Sequence, residues 1–313
     1  MINSMKIAVC SRSFSAHPVL RRELLDKYEH VQFNDAGASL KDDALVDFVA
    51  GHDAMIVGLE RVNDVFLARL PDLRVVAKYG VGLDGIDTEA MRRRGVALGW
   101  TAGVNRRSVV ELSIAFMISL LRHVPVATSA VKNGEWRQLV GRQLSDRTVG
   151  IIGCGHVGKD LARLLRAFGC RVLAHDVLDF PQFYHENGIE PVSLDELLSE
   201  AEIVSLHVPL DDTTRNMLDA ERLTAMRDGA LLINTARGGL VDEGALKELL
   251  SDGHLAGAAF DVFADEPPTD LELLNLPNLI ATPHIGGSAE EAVLAMGRAA
   301  IDGLKTATVP GPG

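Results

Sequence analysis

Arg237, Glu266 and His284 each stand just past an apolar run, in short segments rich in small residues and prolines: 234–239 (NTARGG), 261–268 (DVFADEPP) and 282–287 (TPHIGG). A guanidinium at the end of a buried strand projects over the sheet edge and grips a carboxylate through two parallel hydrogen bonds. An imidazole beside a carboxylate forms a stabilised imidazolium, which suits a proton donor working near neutral pH. Taken singly, the same residues read equally as a surface ion pair, a solvated loop charge and a turn histidine.

A second constellation gives the three a common purpose. Segment 153–158 (GCGHVG) follows the apolar run 149–152 and precedes the helical pattern Val157, Leu161, Leu164, Leu165 and Phe168. Gly153 makes a tight turn, Gly155 lets the backbone approach a pyrophosphate, and Gly158 lets helix and strand pack closely. The helix start adds N–H groups and the positive end of its dipole. Asp176 ends the next apolar run, eighteen residues beyond Gly158, where its carboxylate can bond a ribose diol. It would repel a 2′-phosphate, and Val177 beside it supplies no cation. The pattern predicts NAD rather than NADP.

Sheets must carry these groups. Residues 1–101 alternate strands near 7–10, 54–57 and 75–78 with helical patterns at 18–28, 64–69 and 88–94. A second series places six strands near 149–152, 172–175, 203–207, 230–234, 257–260 and 279–281. Such alternation predicts βαβ units and parallel sheets. The expected class is α/β, with two doubly wound parallel-sheet domains: a Rossmann dinucleotide (NAD) domain, 102–286, inserted in a flavodoxin-like first domain, 1–101 plus 287–313, which the resemblance given below makes the substrate domain. The helix near 104–123 and the loop through Gly134, Trp136 and Gly141 go with the NAD domain, whereas the last helix, 289–304, returns to the first. The cleft between domains is the expected ligand site, and the tail 310–313 is expected to be disordered.

Composition narrows the partners. The 313 residues suffice for two cores, and 47% hydrophobic with 24% charged residues describes a folded, soluble chain. A net charge of −12 disfavours nucleic acid, and Arg92, Arg93 and Arg94 read as a solvated helix end. Cys10, Cys154 and Cys170 are odd in number and spaced unlike a metal site, which predicts buried free thiols, no metal and a reducing compartment. Segment 6–10 is too short for a signal peptide core, and the apolar stretch 109–124 falls short of the roughly 20 residues that span a bilayer. No membrane partner and a cytoplasmic location are expected.

In order along the chain, the glycine loop, Asp176, segment 207–210 (HVPL) with Thr214, and the segments of Arg237, Glu266 and His284 resemble the D-isomer-specific 2-hydroxyacid dehydrogenases, over about residues 75–284. The resemblance implies reversible hydride transfer between NAD(H) and a 2-oxo or 2-hydroxy acid, in a homodimer joined through the middle helix and the arm after it. It makes His284 the proton donor and acceptor, Glu266 its partner and Arg237 the clamp on the substrate carboxylate. It assigns NAD contacts to Gly153, Gly155, His156, Val157, Gly158, Asp176, His207, Val208, Pro209, Thr214, Thr235, Ala236, Arg237, Asp261 and Gly286. Segment 78–82 (KYGVG) resembles the family's substrate loop. Lys78, Tyr79 and the N–H groups of Val81 and Gly82 are thus substrate candidates, with Asn105 and Arg107 farther along. Gly85 stands where the family often has Asn, which reads as a changed turn.

Segment 105–112 (NRRSVVEL) and the glycine loop resemble the D-3-phosphoglycerate dehydrogenase branch, in a short form without a regulatory domain and so without feedback by serine. Lys78, Arg106 and Arg107 would then meet a phosphate. Glu60, in segment 58–61 (GLER), opposes that branch, because phosphoglycerate enzymes tend to place Arg there and an acid repels phosphate. Phosphoglycerate leads, with glyoxylate, hydroxypyruvate or lactate type acids as the alternative. Formate dehydrogenases share the fold but carry Gln where this chain has Glu266. A non-enzymatic alternative is an NAD-sensing corepressor of the C-terminal binding protein type, which carries extra tails.

Overall fold

Among the described residues, twelve strands follow in chain order: β1 (Asn3–Val9), β2 (Tyr28–Phe33), β3 (Ala54–Val57), β4 (Val75–Lys78), β5 (Ala97–Gly99), β6 (Thr148–Ile152), β7 (Arg171–His175), β8 (Glu190–Pro191), β9 (Ile203–Leu206), β10 (Ala230–Asn234), β11 (Leu255–Phe260) and β12 (Leu279–Ala281). They come from a computed structural model that describes residues 3–312; Met1, Ile2 and Gly313 lie outside it. A five-stranded sheet has the order β2-β1-β3-β4-β5 and a seven-stranded sheet the order β12-β11-β10-β9-β6-β7-β8. Every pairing is parallel. The first order is flavodoxin-like and the second contains the Rossmann order, so both sheets are doubly wound.

The sheets are buried on both faces, which is why β3 (AMIV) and β9 (IVSL) read as nearly unbroken apolar runs. In the smaller sheet Ala8, Met55, Val57 and Val76 enter one apolar cluster, and Ile7, Val9, Ile56 and Ala77 another. Successive side chains thus alternate between faces. In the larger sheet Ile152, Val204 and Leu232 face one cluster while Ile151, Ile203 and Ile233 face the other. Short polar side chains start the covering helices: Asn63 accepts from the Phe66 N–H, Asp87 from Ala90, and Ser193 from Glu196.

Two units carry the sheets. Residues 3–105 with 289–312 hold the smaller one, and 106–288 the larger. The divisions fall near the starts of the helices Arg106–Leu121 and Glu290–Thr306, rather than at 101/102 and 286/287 in the loops before them. Helix Glu290–Thr306 packs on the smaller sheet so closely that a Cβ on Gly99 would lie 2.4 Å from the Gly303 carbonyl oxygen.

Several expectations are corrected. The larger sheet has seven strands, not six, because β8 adds a two-residue edge too short and polar to show a pattern. Strand β2 (YEHVQF) is another edge, with only Tyr28 fully buried, and it ends the helix foreseen at 18–28 at Leu25. Strand β5 and the helices Arg12–Ala16 and Asp42–Val49 were also not foreseen. The helix near 104–123 is Arg106–Leu121, but part of the stretch expected as loop after it is a second helix, Val124–Lys132, set at 64° to the first across a break where His123 has φ 53 and Pro125 stands in the first turn. No single helix among the described residues is long and apolar enough to cross a membrane. The three cysteines are buried and unpaired. Arg92 pairs with Glu89, and Arg93 and Arg94 pair with Asp64, all exposed.

Candidate active site

The glycine loop joins β6 to the helix His156–Ala167 where the strand order reverses, between β6 and β9. Ligands of such sheets bind at this switch point, outside the carboxyl ends of the strands. Gly153 has φ 95, and a Cβ there would lie 2.5 Å from the His207 carbonyl oxygen. At Gly158 it would lie 2.0 Å from the carbonyl oxygen of Gly153. Gly155 differs, with nothing within 4 Å of where its Cβ would stand. The helix it introduces has no side-chain cap and no acid in its first turn, so the N–H groups of His156, Val157 and Gly158 are left to a ligand or solvent.

Asp176, past the end of β7, accepts the N–H groups of Cys154 at 2.5 Å and Leu178 at 2.8 Å, which ties the end of β7 to the glycine loop. Burial pushes the Cys154 thiol up to about 11, so it stays protonated. Desolvation pushes the His207 imidazole down to about 3; it is neutral, with Nε2 2.9 Å from the Ser205 hydroxyl. Val208 lies against Gly153, and Thr214 closes the next loop by donating to the Pro209 carbonyl at 2.7 Å.

Beyond β10, buried Asn234 shapes the turn of Arg237: its side chain accepts the Ala236 N–H at 3.1 Å and donates to the Arg237 carbonyl at 2.9 Å. Gly238 lets that turn press on the next loop, since a Cβ there would lie 1.8 Å from the Phe263 carbonyl oxygen. The turn carrying Arg237 and the loop carrying Glu266 therefore meet backbone to backbone. Arg237 Nη1 donates to the Ala236 carbonyl at 2.6 Å. Thr235 is buried with its hydroxyl 2.9 Å from that of Ser113, whose own proton goes to the Val109 carbonyl. Thr235 therefore donates to Ser113.

Asp261 is 1% exposed. Its carboxylate accepts the Thr282 hydroxyl at 2.5 Å, the Ile285 N–H at 2.8 Å and the Gly286 N–H at 2.7 Å. Ser108 donates to the Gly286 carbonyl at 2.6 Å. Held at both ends, the segment gives His284 a φ of 55, a left-handed conformation that a residue with a Cβ enters only under constraint. His284 Nδ1 lies 3.0 Å from Glu266 Oε2, with both side chains partly open to solvent. A carboxylate on Nδ1 favours the Nδ1–H tautomer and leaves Nε2 for proton transfer. A cavity of about 390 Å³, lined by Phe263, Glu266, Pro267, Pro283 and His284, lies beside the pair.

In the other unit, segment 78–82 follows β4. Buried Lys78 donates to the Gly58 carbonyl. Glu60 accepts the Gly58 N–H at 2.6 Å. Gly80 has φ 128, and the Val81 carbonyl accepts from Trp100 Nε1 at 3.0 Å. The N–H groups of Val81 and Gly82 have no hydrogen-bond partner among the described residues. Asn105 is buried, and its Oδ1 has no such partner either. Tyr79 is corrected as a substrate contact, because its ring sits in the core, edge-on to Phe14 at 5.5 Å.

Residues 114–286 match the NAD-binding domain of the D-isomer specific 2-hydroxyacid dehydrogenases. The chain belongs to this family. The (S)-sulfolactate dehydrogenase of Chromohalobacter salexigens is 43% identical over 262 residues, 82% of this chain and 85% of that protein. The hydroxypyruvate reductase of Thermotoga maritima is 37% identical over 263 residues, 81% of this chain and 84% of that one. The D-3-phosphoglycerate dehydrogenase of Bacillus subtilis is 38% identical over 272 residues, but the alignment covers 86% of this chain and only 50% of that protein. The D-lactate dehydrogenase of Aquifex aeolicus, solved with NAD and lactic acid, has a TM-score of 0.84 at 26% identity, covering 98% of this chain and 99% of that one.

As a 2-hydroxyacid dehydrogenase the protein uses NAD, and its residues fit that cofactor. The open space over Gly155 and the uncapped helix start suit a pyrophosphate, and Asp176 ends the strand next to the loop. Asn234, Gly238, Ser108 and Ser113 escaped sequence reasoning, because they act on backbone and neighbouring hydroxyls instead of on a ligand. Arg107 is a correction of the opposite kind. Its guanidinium pairs at 2.8 Å with Asp160, a carboxylate 7% exposed on the helix His156–Ala167, so a buried acid claims the cation expected for substrate. Replacing Arg107 with Ala is expected to lower stability by about 1 kcal/mol, the Arg end being half-exposed, with substrate KM unchanged. Urea denaturation and steady-state kinetics check it; a large rise in KM at intact stability would return Arg107 to the substrate site.

Proposed function

We propose that the enzyme interconverts a short, unphosphorylated 2-oxo acid, of the hydroxypyruvate or glyoxylate type, and the corresponding 2-hydroxy acid. When bound, NADH supplies the hydride that reduces the C2 carbonyl. By the family resemblance the N–H groups of Val81 and Gly82 bind the substrate carboxylate, and the Arg237 charge favours the negative charge growing on the carbonyl oxygen. His284 delivers a proton to that oxygen from Nε2 while Glu266 keeps the ring oriented through Nδ1. In the reverse direction a neutral His284 takes the proton back.

The carboxylate of Glu60 carries the choice of substrate. It is fixed on the Gly58 N–H at the end of β3, in the same unit as the Val81–Gly82 loop, and Arg107, one of the cations that would have met a phosphate, is committed to Asp160. A like charge nearby in a partly screened site costs about 1–3 kcal/mol, enough to disfavour a distal anion by roughly fivefold to a hundredfold. The second reading, a distal phosphate or sulfonate, draws on the phosphoglycerate and sulfolactate dehydrogenase relatives.

The protein is further proposed to be a cytoplasmic homodimer. Helix Val124–Lys132 buries none of its residues, Val124 and Val131 being about half exposed, and Trp136 and Val140 in the arm after it are 87% and 95% exposed. So much uncovered apolar surface fits a second copy. Three buried free thiols fit a reducing compartment.

Three measurements follow from these roles. His284→Ala is expected to lower kcat about a hundredfold or more with NADH affinity unchanged in a fluorescence titration; a variant at full speed removes His284 from the mechanism. NADH oxidation is expected to show higher kcat/KM for hydroxypyruvate or glyoxylate than for phosphohydroxypyruvate and sulfopyruvate, and Glu60→Gln should narrow the gap. The reverse ranking establishes the second reading. Light scattering should give a dimer for the natural chain and a monomer for Trp136→Glu, and a monomeric natural chain would sink the dimer.

A further inference from the structure

Trp100 is the first residue past β5, and its indole reaches to the segment that follows the neighbouring strand β4. Its Nε1–H donates to the carbonyl oxygen of Val81 at 3.0 Å, although the side chain belongs to a residue 39% exposed. In a trans peptide the C=O and N–H point to opposite sides. Gripping the Val81 oxygen therefore turns the Gly82 N–H away from the indole and polarises it. Without such a tether this stretch is poorly determined, because glycines flank Val81 on both sides and Gly80 sits at φ 128.

The base of Trp100 is held as firmly as its tip. Gly99 before it touches the backbone of Gly303, where a Cβ would lie 2.4 Å from a carbonyl oxygen. Leu98 exchanges backbone hydrogen bonds with Thr308 at 2.9 and 3.3 Å. An aromatic residue serving packing alone would be expected to sit deeper. We propose that Trp100 is a positioning residue for substrate binding, which aims the Val81–Gly82 peptide at the carboxylate of the 2-oxo acid. This rests on the reading that the same peptide holds that carboxylate.

The carboxylate is gripped alike before and during hydride transfer, so a slackened grip acts on KM and leaves kcat alone. Trp100→Phe keeps a ring and loses the donor; it is expected to raise KM for 2-oxo acids roughly three- to tenfold, with kcat and NADH affinity unchanged. Trp100→Ala, losing the ring as well, should not be milder. Because the chain has only two tryptophans, Trp136→Phe leaves Trp100 as the sole indole. Its fluorescence should then shift when glyoxylate is added with NAD⁺, and not with NAD⁺ alone. An unchanged KM in Trp100→Phe, an equal loss in kcat and kcat/KM, or a Trp100 signal blind to glyoxylate would each overturn the proposal. If the natural enzyme reduced no 2-oxo acid, the reduction reading alone would fail, and the Trp100 signal would still decide the positioning role.

Discussion

One buried carboxylate holds the catalytic end of the larger sheet together. Asp261, at the end of β11, binds a hydroxyl and two backbone N–H groups of segment 282–286, which follows the neighbouring strand β12. Burying a charge is costly unless it is paired or hydrogen-bonded, and here three donors satisfy it. The same three bonds constrain His284 to a left-handed φ and bring its Nδ1 to Glu266, which stands in the loop that Asp261 begins. The His284–Glu266 pair is thus a product of two adjacent strand ends joined through one side chain.

Close backbone approach does comparable work elsewhere. Gly238 against Phe263 sets the turn of Arg237 on the loop of Glu266, Gly158 against Gly153 sets the cofactor helix on its strand, and Gly99 against Gly303 sets the last helix on the smaller sheet. At each place a single Cβ would collide with main chain, which cannot swing aside as a side chain can. Gly155 is the instructive contrast: nothing crowds it from within, so its smallness serves a ligand.

Both sheets place their chemistry at the carboxyl ends of parallel strands. In the smaller one Glu60 follows β3 and segment 78–82 follows β4; in the larger, the glycine loop, Asp176, His207, Arg237, Asp261 and His284 follow β6, β7, β9, β10, β11 and β12. All the strands of a parallel sheet end on the same side, so residues distant in sequence gather without long connecting loops. Glu60, which follows β3 and accepts the Gly58 N–H, stands at the same end of the smaller sheet as segment 78–82.

The sequence by itself determined the class of fold and the cofactor, because each is written locally. Buried parallel strands are apolar runs, a phosphate-binding turn is glycines at fixed spacing, and reactive groups stand where those runs stop. Edges were illegible for the same reason: β2 and β8 bury too little to leave a pattern. Tertiary structure alone decided what depends on neighbours remote in the chain. Arg107 looked like a free cation until Asp160 claimed it, and Tyr79 looked like part of a substrate loop until Phe14 packed against it. Asn234, Ser108 and Trp100 acquire their roles only from a carbonyl or N–H presented by backbone geometry, and no spacing of residue types encodes where a carbonyl will point.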